Sequence, residues 1–539
     1  MKIKKMCSDM PDCRTEYLVT RNKQFFCMTI FFLFLSLSVK SQTVSVADFL
    51  GDRQAAVSLT FDDGIQEHYT LVAPHLNRYA LRGTFGINGK FMGDIDDHFA
   101  PRLTWEECRR MVADGHEICN HSWSHPNLTA IDRRTLLVEI RKNDSIIKAE
   151  TGVKPTSILY PFNATTPQVR AVCEEGKVGA RLEQFGLGQR NSGCTAASID
   201  TWLRQLINDR RWGVTMTHGI YTAWDQWDEP WVLWNFFREL AFKKDSVWVD
   251  TFSNIQAYVK ERNAVTLTTR WCNNTLIITP ALSLDSKIFR MPLTLKIAGM
   301  EKNRCMKAVQ DGKNLQVSYR GDYLTIDINP YGSPVAVSYM KEKTLEGKTM
   351  CVIGDSYVYN HGCPVSETWH YKLATKHGMK YQNLGQNGNS IAFERESIYG
   401  APLYKRYSII PENADYILII AGHNDAYLVN GDIDRQKVLR QRLDELLKGL
   451  KRKYSGAKIG WVTPWNVAYE GFPATINIIE EMCRKNDVKV LNAAYTSGIN
   501  PNDLVFRSRY FQGKDDNAHL NNAGHNLLMH WGEQFVMGL

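Results

Sequence analysis

The spacing of apolar residues in this 539-residue chain changes twice, and this limits what the chain can fold into. Over residues 46–262, apolar runs alternate with helical stretches: 55–61 reads as a strand, 105–114 as a helix, 213–217 as a strand and 254–262 as a closing helix. From 263 to about 341 the runs are short and alternating (265–269, 275–279, 315–319, 323–328, 335–339). They are broken by turn pairs such as Asp311-Gly312 and Asn329-Pro330. That pattern predicts a small all-β sandwich. From about 344 to the end, buried-strand candidates at 350–353, 416–420, 459–462 and 488–491 return. An amphipathic helix over 434–454 lies between two of them, which predicts a parallel, helix-flanked sheet. The expected architecture is an α/β multidomain protein, with domains at 42–262, 263–343 and 344–539. Length alone suggests three or four domains.

Residues 1–41 stand apart. An apolar run over 25–39 follows Lys2, Lys4, Lys5, Arg21 and Lys23. It is shorter than the ~20 apolar residues a spanning helix needs, so it fits the core of a secretion signal cleaved before Gln42. The basic stretch is long for a signal and contains Asp9, Asp12 and Glu16. A segment that stays on as a membrane anchor is the other reading. The net charge of +8 comes from 65 basic and 57 acidic residues spread along the chain, which argues against a nucleic-acid partner. Twelve cysteines include Cys7, Cys13 and Cys27 in this segment; the other nine are scattered without a Cys-x-x-Cys pair. An odd number leaves at least one unpaired within the chain, and no cysteine-based zinc site is visible.

Four pieces in the first region carry chemistry. Thr60-Phe61-Asp62-Asp63-Gly64 ends a strand with two adjacent carboxylates. His121 and His125 stand four apart, Tyr160-Pro161-Phe162 follows another apolar run, and Met216-Thr217-His218 ends a further strand. On a helical turn, residues four apart share a face, so both imidazoles can hold one cation. Two imidazoles, one carboxylate and open positions for water make the pattern of a catalytic zinc-type site. The second Asp can then accept a proton from water, and a separate His can protonate a leaving amine or alkoxide.

Over about 215 residues these motifs resemble the polysaccharide deacetylase (NodB homology) family, whose fold is a distorted β/α barrel. The resemblance implies Asp62 as general base and Asp63, His121 and His125 as ligands of one divalent metal, with zinc the expected identity. It implies His218 as general acid and the Phe162 N–H as an oxyanion donor. Two departures stand out. Leu159 occupies the place where many members carry an Arg that orients the catalytic Asp, with Arg181 or Arg190 as possible substitutes. The family's Asp/Trp motif has only Asp200, Trp202 and Trp212 as candidates.

The last region opens with a strand running into Gly354-Asp355-Ser356. Asn383-Leu384-Gly385-Gln386-Asn387-Gly388, then Gly422-His423-Asn424, then Asp516-Asn517-Ala518-His519 follow. A Ser just after a first strand is exposed at the carboxyl edge of the sheet. His519 can act as its base, and Asp516 can fix the imidazole tautomer. Ser356 N–H, Gly388 N–H and the Asn424 amide can serve as oxyanion donors; spacing favours Gly388 over Gly385. The ordered set resembles the SGNH/GDSL hydrolase superfamily over about 190 residues. It implies an α/β/α sandwich with Ser356 as nucleophile, Asp516 and His519 completing the triad, and no cofactor. Tyr357 follows Ser356 where Leu is usual.

Trp212, Tyr221, Trp224, Trp227, Trp231 and Trp234 crowd around His218, as a sugar-stacking wall or as helix packing. The expected protein is an exported bifunctional carbohydrate deacetylase/esterase acting on acetylated polysaccharide or oligosaccharide. Two alternatives are a glycan-binding, non-catalytic first domain fused to an esterase, and a lipase or thioesterase with accessory domains.

Overall fold

A computed structural model describes residues 42–94, 100–301, 304–340 and 344–539. The expected secretion signal or anchor lies outside the described residues. Residues 42–539 form one compact unit.

The first region is built on a parallel sheet. The strand Ala55–Phe61 is buried along its whole length. It pairs with Trp212–Thr217 along one edge, and on the other with Val247–Val249 and then Gly83–Ile87. The sheet continues through Glu117–Asn120 and Ser157–Leu159 to Gly179–Arg181 on one side, and to Phe185–Gly186 on the other. Because every strand runs the same way, Asp62, His121, Tyr160, Arg181 and His218 all emerge at the carboxyl end of the curled sheet. Side chains close the helix ends. Thr104 and Glu107 form a reciprocal capping box on Trp105–Ala113, and Asp132 caps Arg133–Thr151.

The middle region is a two-sheet antiparallel sandwich. One sheet orders Thr266–Cys272, Thr275–Ala281, Val335–Tyr339, Met306–Gln310 and Lys313–Leu315. In the other, Leu293–Ala298 lies between Tyr323–Ile328 and Thr43–Val46, so the first strand, expected with the deacetylase-like region, completes the sandwich. Period-two residues Leu293, Leu295, Ile297, Leu324, Ile326, Val335 and Val337 make its core. Trp248, Ile255 and Tyr258 of the first region pack into that core, and the Tyr258 hydroxyl donates to the Ala47 carbonyl at 3.0 Å.

The last region is a three-layer α/β/α sandwich with five parallel strands in the order Lys380–Gly385, Thr349–Gly354, Tyr416–Ile420, Lys458–Val462, Lys489–Leu491. Alternate residues of the central strands feed opposite faces. Ile353, Ile417 and Ile419 pack beneath the helices Ile433–Lys453 and Phe472–Lys485. Val352, Leu418 and Ile420 pack beneath Trp369–Lys376 and Asn522–Gly538. The strand order reverses at Thr349–Gly354, and an open α/β sheet places its ligand crevice at that switch point. Ser356 sits just beyond it.

Candidate active sites

In the first region, Asp62 and Asp63 follow the central strand. The Asp63 Oδ1 is 3.3 Å from the Nε2 of both His121 and His125. Two ligands about 2.1 Å from a tetrahedral centre lie roughly 3.4 Å apart, so these donors fit a small divalent cation of the zinc class. The His121 Nδ1 is 2.8 Å from the Leu159 carbonyl, which turns its Nε2 toward the carboxylate. Burial and the neighbouring His121 press His125 down to about 4, favouring the neutral imidazole a metal requires. Asp63, Ser122, His125, Phe162 and Asn163 all adopt positive φ. Such strained non-glycine backbone, costing about 1–3 kcal/mol per residue, concentrates where geometry is imposed for function.

Asp62 faces the same mouth but does not join the ligand set. Its two oxygens accept from Arg181 Nη1 and Nη2 at 2.7 and 2.6 Å, and Nη1 also reaches the Thr60 hydroxyl at 2.7 Å. Burial raises the cost of charging Asp62, yet the Arg181 guanidinium outweighs it and holds the carboxyl below its ordinary value. Arg181 and Leu159 are register partners on adjacent parallel strands. The guanidinium missing at 159 is therefore supplied one strand over. Arg190 is not involved; it pairs with Asp228.

His218 stands at the rim, its Nε2 3.9 Å from the Asp63 Oδ2 and its ring against Trp224. Its buried Nδ1 has no partner among the described residues. None of the candidates for the family's Asp/Trp motif approaches it. Asp200 pairs with Arg204, Trp202 stacks on Phe185, and Trp212 donates to Ser58. The Phe162 ring is exposed and lies 4.7 Å from His125. Of the aromatic group, Tyr221, Trp224 and Trp231 face solvent, whereas Trp227 is buried and Trp234 stacks on His75.

In the last region the His519 Nε2 is 2.9 Å from the Ser356 Oγ, and its Nδ1 is 2.9 Å from the Asp516 Oδ2. The Asp516 carboxylate also accepts the Ala518 and His519 N–H groups, so the backbone turn fixes it independently of the imidazole. Burial pushes its carboxyl up, but these bonds outweigh that and leave it below the ordinary value. Ser356 opens a one-turn helix, where the first N–H groups have no intrahelical acceptor. The Gly385 N–H is already donated to Asn383, while Gly388 has φ +69° and its N–H has no acceptor among the described residues. A Cβ at 388 would come within 2.1 Å of the Tyr399 ring. Asn424 is held through both ends of its amide: Oδ1 accepts from Arg395 at 3.2 Å and Nδ2 donates to the Asn389 carbonyl at 2.9 Å, leaving one amide hydrogen free.

Sequence reasoning missed several residues here. Arg395 bridges Asn424 and the Gly388 carbonyl, and Arg406 ties Asn389 to the carbonyls of Gly354 and Leu384. His361 stacks on His519 at 4.7 Å. No spacing or composition marks them; Arg395 and His361 lie in loops and Arg406 ends the one-turn helix Leu403–Arg406, all placed by tertiary packing. All nine described cysteines are free thiols.

Two family models match. "Polysaccharide deacetylase" covers residues 51–178, and "GDSL-like Lipase/Acylhydrolase family" covers residues 352–527. Among curated proteins, the peptidoglycan-N-acetylmuramic acid deacetylase PdaC of Bacillus subtilis is 31% identical over 119 residues, 22% of this chain and 24% of that protein. A chitin deacetylase of Pestalotiopsis sp is 29% identical over 108 residues, 20% and 34% of the two chains. A chitooligosaccharide deacetylase of Rhizobium leguminosarum bv. trifolii is 36% identical over 104 residues, 19% and 44%. The chain thus spans less than half the length of each of these relatives. The chain joins a domain of the polysaccharide deacetylase family, matched over residues 51–178, to one of the GDSL-like lipase/acylhydrolase family, matched over 352–527.

Proposed function

We propose that this protein is an exported carbohydrate deacylase with two chemically distinct sites, both removing acetyl groups from polysaccharide or oligosaccharide. The observation that carries the reading is the presence in one compact unit of an Asp63/His121/His125 donor set beside an Arg-held Asp62, and of a Ser356–His519–Asp516 relay.

At the first site, a divalent cation, zinc as the best fit to two imidazoles and a carboxylate, would supply Lewis acidity toward water and the acyl oxygen. Arg181 keeps Asp62 ionised and aimed into the mouth, where it accepts a proton from the attacking water. His218 Nε2, on the opposite rim, donates to the departing oxygen or nitrogen. The Phe162 N–H, on strained backbone, completes the cradle for the acyl oxygen. Tyr221, Trp224 and Trp231 offer apolar faces on which sugar rings stack.

The second site needs no cofactor. His519 takes the Ser356 proton, Asp516 steadies the imidazolium, and the N–H groups of Ser356 and Gly388 with the Asn424 amide receive the tetrahedral oxyanion. A serine site of this kind acts on esters, so its substrate is an O-acetylated glycan such as acetylxylan. Relatives named for peptidoglycan and chitin support a carbohydrate for the first site, whether its acyl bond is an ester or an amide. A Leu at 159 favours the glycan-binding alternative, whereas the Arg181 grip on Asp62 supports catalysis at the first site. The apolar run at 25–39 behind basic residues supports export.

The test is acetate release by the full chain from acetylated xylo-oligosaccharides and from N-acetylglucosamine oligomers. Release that Asp62→Asn and His218→Ala reduce in one fraction, and Ser356→Ala in the other, is expected. Metal bound but no release attributable to Asp62 from either substrate class would refute catalysis at the first site.

A further inference from the structure

The segment 463–471 runs between Lys458–Val462 and Phe472–Lys485 without helix or strand, so side-chain contacts must fix its path. Its residues divide between two tasks. Trp465, buried, stacks on Tyr357 at 4.2 Å and 14°, and its indole N–H donates to the Ala518 carbonyl at 2.8 Å. Those contacts touch the residue after Ser356 and the residue before His519. The Tyr469 hydroxyl is 3.5 Å from His423 Nε2, whose Nδ1 lies 2.8 Å from the Tyr357 hydroxyl. The next residue in each case faces the other way. Asn466 donates to the Phe242 carbonyl at 3.1 Å. Glu470 accepts from the Tyr79 hydroxyl at 2.7 Å and from the Arg238 guanidinium, with Arg78 at 3.8 Å. Phe242, Tyr79 and Arg238 all belong to the deacetylase domain, outside its own donor cluster.

We infer that the deacetylase domain clamps this segment and thereby sets the Ser356–His519 spacing, which makes Asn466, Glu470 and Arg238 positioning residues of the serine site. The inference rests on the esterase reading of that site. The physical argument is adjacency. At 465/466 and at 469/470, one residue reaches a neighbour of the nucleophile or the base, Trp465 directly and Tyr469 through His423, while the next is anchored in the other domain. A loop with no hydrogen-bonded ladder cannot move its outer residues without moving its inner ones. Loosening the clamp lets Trp465 and Tyr469 drift, and with them Tyr357 and the carbonyl before His519. A nucleophile and base 2.9 Å apart are sensitive to small displacements of this kind.

The experiment uses the full chain and reads the rate at which a fluorophosphonate labels Ser356, together with kcat and KM for a p-nitrophenyl acetate probe. Arg238→Ala is expected to lower labelling and kcat roughly three- to tenfold with KM little changed, the size of coupling within one polar network. Arg238→Glu is expected to lower them further, and Arg238→Glu with Glu470→Arg to recover part of the loss, because Arg78 still faces residue 470. A structural defect alone would not be rescued by the swapped pair. Tyr79→Phe, which removes one hydroxyl and is safe for folding, is expected to show a smaller loss in the same direction. Hydrogen exchange across 463–471 is expected to quicken in Arg238→Ala. Labelling, kcat and exchange equal to wild type in Arg238→Ala and Tyr79→Phe would overturn the inference. A wild-type chain that is neither labelled nor active would overturn the esterase reading instead, and the exchange measurement would still judge the clamp.

Discussion

Replacing Arg181 by Leu removes the guanidinium that grips Asp62. The two side chains are 0% and 6% exposed, so the carboxylate left behind keeps no side-chain partner and little water. Breaking one side of a buried pair costs about 3–5 kcal/mol, part of which the protein can recover by protonating the carboxyl. A protonated Asp62 cannot act as a base, and general-base work contributes on the order of a hundredfold or more. Arg181→Leu, made with Ser356→Ala so that only the first site is read, is therefore expected to lose at least about a hundredfold in kcat for acetate release. Arg181→Lys keeps the charge but not the two-point grip and should fall between. The sharper test moves the guanidinium. Because Leu159 and Arg181 are register partners, an Arg at 159 starts roughly 4.8 Å away, within reach of a long side chain. Leu159→Arg added to Arg181→Leu should recover at least about tenfold of the lost rate if orientation of Asp62 is what Arg181 provides. A folded Arg181→Leu chain with wild-type kcat would refute the reasoning. A double variant no better than the single would show that Arg181 does something its hydrogen bonds to Asp62 do not capture.

Other outcomes follow from the same geometry. Asp63→Ala, His121→Ala and His125→Ala should each lose one equivalent of tightly bound zinc by metal analysis; retention of one equivalent would reassign the ligands. Gly388→Ala should abolish ester hydrolysis, because a Cβ there meets Tyr399 at 2.1 Å and the positive φ is lost; retained activity would remove Gly388 from the oxyanion set. Burial pushes the Asp355 carboxyl up to about 7. The folded chain keeps that proton where the unfolded chain has lost it, so the residue's contribution to stability fades as pH rises from about 4 toward that value. Asp355→Asn cannot ionise, so its denaturant midpoint relative to wild type should rise across the same window; a difference independent of pH would contradict this.

Legibility followed burial. Ala55–Phe61 and Tyr416–Ile420, buried throughout, coincide with the runs read from sequence. Lys380–Gly385 escaped because it is an edge strand: Lys380 and Gln382 face water, and the polar Asn383 lies on the other face, so no apolar period-two face reveals itself. The run at 315–319 looked like one strand but is divided between the two sheets of the sandwich, with Leu315 ending one strand and Val317 opening the other. At the sites, residues embedded in local motifs could be nominated from the chain. Partners that meet only through the fold could not be fixed: Arg181, 119 residues from Asp62, stood level with Arg190 in the sequence, and Arg395 and Glu470 acquire roles only from the loops that carry them.

The central claim, two independent deacylating sites on one chain, is tested most directly by chelator titration of acetate release in two variants. Ser356→Ala, left with the first site alone, should lose all release when divalent metal is removed and regain it with zinc. Asp62→Asn, left with the serine site, should release acetate from O-acetylated xylo-oligosaccharides at a rate the chelator does not change. Release by Ser356→Ala that survives chelation, or release by Asp62→Asn that vanishes with it, would contradict the account.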